Sequence, residues 1–542
     1  MSAPSAGRSL AELARRLDGE GQLLAIRRGT EASVSEAVLE SIAITGIADD
    51  SRAVEPGQVF AAVRGLRVDG HDFLPEAIRR GASALIVERG VGADQVGLDP
   101  ALDPARDAGV MQLVVRRSDV ALASAAAWWF GDPSRALDVV GVTGTNGKTT
   151  TTFLAAAALE AIGWPTGIVG TIGIRVAGTL RRNDRPNTTP GAIDLQGLLR
   201  EMVDADRRAV VIETSSHGLA AERVGSVAYG AAIFTNLSHE HLDFHGTFEA
   251  YRAAKLSLFE RLPREGRDGR PGIGVVNHDD PNGRAFAAAT TGAGARAITY
   301  GVDPAADVRP LSFEGDASSS RFEVVAGGQD VSVALRIGGR FNAHNALAVI
   351  GLGLGWGLDL DRVAAGLGEL RGVPGRMEAV VRGQPFHVVI DYAHTPLSLD
   401  AVGRELGELA APHGGRVISV FGASGERDTG KRPLMGRAAG ARSRLVIVTE
   451  DDSRNEDPAT IFEAIVSGAE AVGLQRDHEV LVIPDRRAAI AEAFARARPA
   501  DVVLLAGKGH ETWNIGPSGV EPWSEREVAE AALDELGYRG DS

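Results

Sequence analysis

With 542 residues the chain is too long for one ordinary hydrophobic core, and a prior of about 150 residues per domain predicts three or four domains. It contains no cysteine, which excludes disulfides, iron–sulfur clusters and thiolate zinc sites and fits a reducing compartment. The net charge of −15, from 57 basic and 72 acidic residues, argues against nucleic acid or an anionic membrane as partner, because either would need a basic patch working against the global field.

In chain order, Ser9-Leu-Ala-Glu12 is a capping-box pattern and predicts an amphipathic helix, not a signal peptide. No run of 18 or more apolar residues follows, so no membrane insertion is expected and the cytoplasm is the expected location. Residues 1–116 mix short elements, with strands over Val59–Val63 and Ser83–Glu88 around a helix over Pro75–Arg80. Two loops rich in turn formers, Asp50–Gly57 and Gly65–His71, mark this block, and the polar stretch Gly97–Gly109 reads as a surface connection.

The second block, residues 117–373, opens with an apolar strand over Leu137–Val142, a glycine-rich loop and a helix over Thr149–Gly163. Buried strands over Ala209–Ile212, Ala231–Thr235 and Ile273–Val276 alternate with helical stretches, the rhythm of a parallel sheet. Residues Arg321–Ile337 alternate around Gly327-Gly328 and predict an antiparallel hairpin. In the third block, residues 374–542, apolar runs lead straight into polar residues: Val388–Ile390, Val417–Phe421, Leu445–Val448 and Val502–Leu505. Polar groups massed at the carboxyl ends of parallel strands are the ligand-binding arrangement of an open α/β sheet.

Chemistry concentrates in Gly141-Val-Thr-Gly-Thr-Asn-Gly-Lys-Thr-Thr150. Between a strand and a helix, such a loop turns backbone N–H groups onto phosphate oxygens. Lys148 is placed for the β/γ-phosphates, and Thr149 or Thr150 for Mg²⁺. The spacing departs from the strict phosphate-loop pattern, because Val142 stands at the first glycine position. Glu213, at the end of a second strand, offers the hard oxygen that Mg²⁺ demands. The segment Thr235–Gly246 carries His239, His241 and His245, which suggests metal or phosphate chemistry, with a zinc site as the rival reading.

Gly144-Thr-Asn-Gly-Lys-Thr149, Glu213–His217, Asn236–His241, Lys255, Asn342-Ala-His-Asn345 and Asp391–His394 together resemble the ordered motif set of the Mur ligases, across nearly the whole chain. The resemblance implies an α/β protein of three domains: a small mixed α/β domain binding UDP, a central parallel-sheet ATPase domain with a short antiparallel portion, and a C-terminal Rossmann-like domain. It implies an ATP-dependent ligase, acting as a monomer, that adds the third residue of the peptidoglycan peptide to UDP-N-acetylmuramoyl-L-Ala-D-Glu through an acyl phosphate. By match, Ser51 and the loop Leu66, Arg67 and Val68 contact the uridine diphosphate, and Asn187, Thr188, Thr189, Ser215 and Arg223 hold the sugar–dipeptide. Gly144, Thr145, Asn146, Gly147, Lys148, Thr149 and Thr150 bind ATP with Asn342 and Arg376. The implied Mg²⁺ ligands are Thr149, Glu213, His241 and Lys255, the last as a carbamate formed with CO₂. Where the family often has Gln, this chain has Ala221.

The implied amino-acid site comprises Arg427, Asp451, Asp452, Arg454, Gly507 and Glu511. Arg454 favours meso-diaminopimelate, whose distal carboxylate an arginine grips bidentately. Asp452 and Ser453 depart from the Asp-Asn-Pro-Arg loop common in that branch and keep L-lysine and L-ornithine open. A folylpolyglutamate-type ligase is the more distant rival, but the UDP-binding block is not expected in one. A non-catalytic nucleotide-binding protein is another, against which Lys148, Glu213 and Lys255 are all retained.

Overall fold

The structure, a computed structural model, describes residues 7–28, 34–65, 68–90, 110–183, 187–238, 240–516 and 518–540, and every element and count below refers to these. Leu66, Arg67, His239 and the whole of the Gly97–Gly109 stretch lie outside the described residues. Two compact units form, Met1–Lys148 with Gly163–Thr299 and Thr149–Ile162 with Tyr300–Ser542.

The first unit begins with the helix Leu10–Gly19, capped as its sequence predicts: the Ser9 side chain accepts from the Glu12 N–H. The apolar face of this helix packs with the helix Ser118–Trp129 against one side of a five-stranded sheet. That sheet runs Leu23–Arg28, Met111–Val115, Ala84–Val87, Gln58–Ala61, Gly46–Ala48, parallel except for the antiparallel pairing of its first two strands.

The same unit holds a second sheet, with Asp138–Thr143 between Ala209–Glu213 and Ala231–Phe234, all parallel. Thr166–Val169 continues it on one side and Ile273–Asn277 on the other. The chain leaves Asp138–Thr143 for Thr166–Val169, returns to place Ala209–Glu213 between them, and then crosses to the other side with Ala231–Phe234. Such a reversal opens a crevice at the strands' carboxyl ends. All six residues of the central strand are buried, as a strand covered on both faces requires.

In the second unit, Ser320–Ala326 and Gln329–Leu335 form the expected hairpin. Its two-residue turn places Gly327 at φ 59° and Gly328 at φ 85°, a conformation that matches strand twist and that glycine adopts freely. Six further strands run Glu378–Ala379, His387–Asp391, Val502–Ala506, Val417–Phe421, Leu445–Val448, Val480–Val482, the last five parallel. Apolar clusters lie on both faces of this sheet. Arg486 and Glu525 are buried against it at 2.6 Å, and the Arg486 guanidinium also donates to the carbonyl of Ala506.

A buried charge stripped of its partner is costly. Glu525→Ala is therefore expected to destabilise this unit by about 3–5 kcal/mol. Differential scanning calorimetry checks this as a lowered transition, and an unmoved transition would mean that Arg486 finds water instead.

Candidate active site

The crevice of the first unit gathers the loop Gly144–Gly147, the carboxylate of Glu213 and the segment Thr235–Asn236. Thr145 N–H donates to the Asn236 carbonyl at 2.8 Å and Asn146 N–H to Asn236 Oδ1 at 2.9 Å. Thr235 Oγ1 donates to the Asn146 carbonyl at 2.6 Å. The loop is thus held by the segment that follows the strand Ala231–Phe234. Gly144 sits at φ 151° with the Thr235 hydroxyl where a Cβ would stand, so this close approach admits no side chain.

Lys148 Nζ folds over its own loop, donating to the carbonyls of Gly144 at 3.0 Å and Thr145 at 2.8 Å. Lys255, on the helix Phe248–Glu260, is 1% exposed and donates to the same Gly144 carbonyl at 2.8 Å. Its Nζ lies 4.7 Å over the ring of Tyr251, whose hydroxyl shares a 3.0 Å hydrogen bond with Thr145 Oγ1. Burial first, and then the Lys148 charge, hold the Lys255 amine well below the usual lysine range. From sequence alone this residue reads as a solvated helix lysine. Yet Tyr251, Lys255, Leu258 and Phe259 are the buried residues of that helix, spaced along one face, and a lysine on an apolar stripe was the available signal.

Glu213 is fully buried, and its two oxygens accept from the Thr171 N–H at 3.1 Å and the Thr171 hydroxyl at 2.9 Å. His241 has left-handed backbone at φ 55°, and its ring meets His217 edge-on at 4.7 Å between centroids. The His245 ring meets that of Tyr251 at a tilt of 54°, with 5.2 Å between centroids. Among the described residues these rings pack edge to face and do not converge three nitrogens on a point, so the zinc reading gains no support. Thr149 and Thr150 are buried in the first turn of the helix Lys148–Ala161.

A second group in the same unit joins Thr189, Ser215 and Arg223. Thr189 Oγ1 donates to the Glu213 carbonyl at 2.8 Å and lies 3.0 Å from Ser215 Oγ, while Arg223 donates to the Thr189 carbonyl at 3.2 Å. Thr171 Oγ1 and Thr188 Oγ1 lie 3.1 Å apart, and the Asn187 carbonyl accepts from Asn183 Nδ2 at 3.1 Å. Beside them a cleft is lined by Ile47, Asp49, Gln58 and Asp194, of which the sequence singled out none. Burial pushes the Asp49 carboxyl up. Ser51 is buried and hydrogen-bonded to Glu76 at 2.7 Å, and Val68 is exposed.

The second unit carries the remaining candidates. Asn342 is buried and its amide donates to the Gly338 carbonyl at 2.8 Å. The Arg376 guanidinium lies 4.6 Å over the ring of Tyr392, whose hydroxyl donates to Glu511 at 3.3 Å. The buried Asp391 carboxylate accepts from the N–H groups of Met377 and Ala393, both at 2.9 Å. Gly507 N–H donates to the Asp391 carbonyl at 3.1 Å. Asp451, Asp452 and Glu511 bring carboxylate oxygens within 4.8 Å of one another. Among them sits Lys508, which lies between Gly507 and Glu511 in the chain and which the sequence reading passed over. Arg427 is exposed on the loop after Val417–Phe421, and Arg454 is half-buried with left-handed backbone at φ 57°.

Family models match in chain order: Mur ligase family, catalytic domain, over residues 43–127; Mur ligase middle domain over 142–353; and Mur ligase, glutamate ligase domain, over 375–509. The chain is 45% identical to a UDP-N-acetylmuramyl-tripeptide synthetase of Roseiflexus sp. (strain RS-1), over 92% of this chain and 96% of the relative. It is 39% identical to a UDP-N-acetylmuramoyl-L-alanyl-D-glutamate–2,6-diaminopimelate ligase of Solibacter usitatus (strain Ellin6076), over 91% and 94%. A solved structure of a ligase of that second name superposes with a TM-score of 0.67 at 28% identity, covering 98% of this chain and all of the other.

Gly144→Ala forces the loop off the Thr235 hydroxyl. Misplacing it by an ångström is expected to lower ATP turnover on the order of 100-fold. Phosphate release, read beside an unchanged circular dichroism spectrum, checks this.

Proposed function

The chain belongs to the Mur ligase family, whose members are ATP-dependent, ADP-forming ligases, and on that premise we propose that it joins meso-diaminopimelate to UDP-N-acetylmuramoyl-L-alanyl-D-glutamate. On this reading residues 1–116 hold the UDP-sugar, 117–373 the ATP and 374–542 the amino acid. The observation that carries the choice of amino acid is Arg454, whose Nε is buried without a hydrogen-bond partner among the described residues. A buried guanidinium nitrogen left open is costly, and the distal carboxylate of diaminopimelate completes it where lysine or ornithine cannot. The cytoplasm is the proposed location and a monomer the proposed state.

The chemistry runs in two steps. The dipeptide carboxylate attacks the γ-phosphate, ADP leaves, and an acyl phosphate results. The amine of the incoming amino acid then adds to the acyl carbon, and phosphate departs with the amide formed. Lys148, released from its own loop carbonyls, offsets the charge of the phosphates during the first step. The loop N–H groups orient the phosphates, and exclusion of water protects the acyl phosphate from hydrolysis.

Mg²⁺ is the implied metal, and the donor set fits it conditionally. Glu213 and Thr149 offer hard oxygens and His241 a ring nitrogen. Lys255 as an amine offers no oxygen, and as an ammonium it repels a cation. As a carbamate, R–NH–COO⁻, it fits. The reaction R–NH₂ + CO₂ → R–NH–COO⁻ + H⁺ needs the uncharged amine, which the depressed pKa of Lys255 supplies. Bound Mg²⁺ would shield the phosphate charge from the attacking carboxylate.

With UDP-N-acetylmuramoyl-L-Ala-D-Glu, ATP, Mg²⁺ and bicarbonate, phosphate release is expected with meso-diaminopimelate and not with L-lysine or L-ornithine. Turnover with lysine or ornithine alone would overturn the amino-acid assignment, and turnover with none would overturn the substrate. Lys255→Ala is expected to lose activity on the order of 100-fold or more, with partial recovery in added short-chain carboxylates. In the unsubstituted protein, ¹³CO₂ should label Lys255, and the carbamate signal should fall as the pH drops through the depressed pKa and the amine takes up its proton. A signal that persists at acid pH would remove the neutral-amine argument.

A further inference from the structure

Lys508 is fully buried in the second unit, and its Nζ stands 2.6 Å from Asp452 Oδ1, 3.3 Å from Glu511 Oε2 and 3.8 Å from Asp451 Oδ1. The same Asp452 oxygen accepts from the Ile515 N–H at 2.8 Å. Asp452 N–H donates to Asn514 Oδ1 at 3.3 Å, and Arg454 N–H donates to the Ile515 carbonyl at 2.9 Å. The loop 451–454 is therefore stitched to the strand Trp513–Gly516, with the Asp452 carboxylate as the joint. Asp452 and Arg454 both take left-handed backbone, at φ 51° and 57°, a conformation that persists only where surrounding contacts over-determine it. Ser453 between them donates its N–H to Glu450 at 2.8 Å.

We propose that Lys508 is a positioning residue that sets amino-acid selectivity, by neutralising Asp452 inside the fold so that the loop meets the incoming side chain with the Arg454 guanidinium and not with a carboxylate. The proposal rests on the reading of Arg454 given above. A free carboxylate at residue 452 would attract a side chain ending in an ammonium alone and repel one ending in a carboxylate beside an ammonium. Turned inward onto Lys508, it does neither. Without the lysine, three carboxylates within 4.8 Å of one another would keep, among the described residues, Arg486, already paired with Glu525, and Lys431, whose Nζ is already held by the His394 carbonyl at 3.1 Å. The loop would then open and turn Asp452 toward the substrate.

The test uses the full chain and reads KM for meso-diaminopimelate, L-lysine and ATP in four forms: unsubstituted, Lys508→Met, Asp452→Asn with Lys508→Met, and Asp452→Ala. Lys508→Met is expected to raise KM for diaminopimelate about tenfold or more, improve use of lysine, and leave KM for ATP within about twofold. Adding Asp452→Asn removes the charge that needed neutralising and should bring the diaminopimelate KM back to within about threefold of the starting value. Asp452→Ala keeps Lys508 but loses the joint, and serves if Lys508→Met does not fold; it should raise the diaminopimelate KM and not that of ATP. Equal increases for both substrates, or no rescue in the double variant, would overturn the proposal. Hydrogen exchange at the Ile515 and Arg454 amides needs no substrate and should quicken in Lys508→Met and in Asp452→Ala; unchanged exchange also overturns it. An unsubstituted protein that uses lysine in place of diaminopimelate would instead sink the reading of Arg454, with the exchange result still judging the joint.

Discussion

One carbonyl oxygen, that of Gly144, organises the crevice of the candidate active site, because it accepts hydrogen bonds from both Lys148 and Lys255. Unit charges 4 Å apart at an effective dielectric of 20 repel by about 4 kcal/mol. Full burial adds a desolvation cost on the Lys255 side that the half-buried Lys148 largely escapes. The fold eases the conflict by lowering the Lys255 pKa, which favours the uncharged amine. A neutral amine with one hydrogen bond to a carbonyl keeps its lone pair for an electrophile. The same pressure that removes the charge therefore makes the residue reactive toward CO₂, and on the proposed reading the product brings a negative charge to the crevice where the lysine brought a positive one.

Much of the architecture is legible in the sequence because parallel strands covered on both faces must be written as unbroken apolar runs. Val417–Phe421 and Leu445–Val448 are found at the bounds read from the sequence, and the other runs shift by one or two residues at their ends. The Gly327-Gly328 hairpin is legible because its turn needs positive φ twice in succession. The spatial order is not legible. Val502–Ala506 inserts between His387–Asp391 and Val417–Phe421, and no local pattern in any of the three announces which neighbour it takes. Thr166–Val169 escapes because four residues that include a glycine make too weak a run to separate from a loop.

The same division holds for the site. The places of the glycine-rich loop and of Glu213 are readable because their signals are local: a glycine-rich turn before a helix, a carboxylate ending a strand. Asp49 and Asp194 are not, since they meet across 145 residues of chain and look like ordinary surface acids on their own. Lys255 lies between these cases. Its role in the family comes only from the resemblance, whereas its burial is written in the stripe Tyr251, Lys255, Leu258, Phe259. Helical spacing predicts which face of Phe248–Glu260 turns inward, but it cannot say that a carbonyl and a second lysine wait there.

The two units leave unbalanced charge of opposite sign, and the imbalance matches the reactants assigned to each. In the first, two lysines share one carbonyl, an arrangement that an anion improves and a cation worsens. In the second, Asp451, Asp452 and Glu511 surround one lysine, and burial raises the carboxyls of Asp451 and Glu511 against the lowering effect of Lys508. An ammonium improves that arrangement. Phosphates on one side and an amino acid's ammonium on the other are what the proposed reaction brings. Had Lys508 been absent, the negative excess would have been large enough to refuse any second carboxylate. Had another lysine stood beside it, the ammonium would have lost its reason to bind. A single buried lysine among three acids is the count that accepts a zwitterion bearing an extra carboxylate, provided that Arg454 takes that carboxylate at the far end.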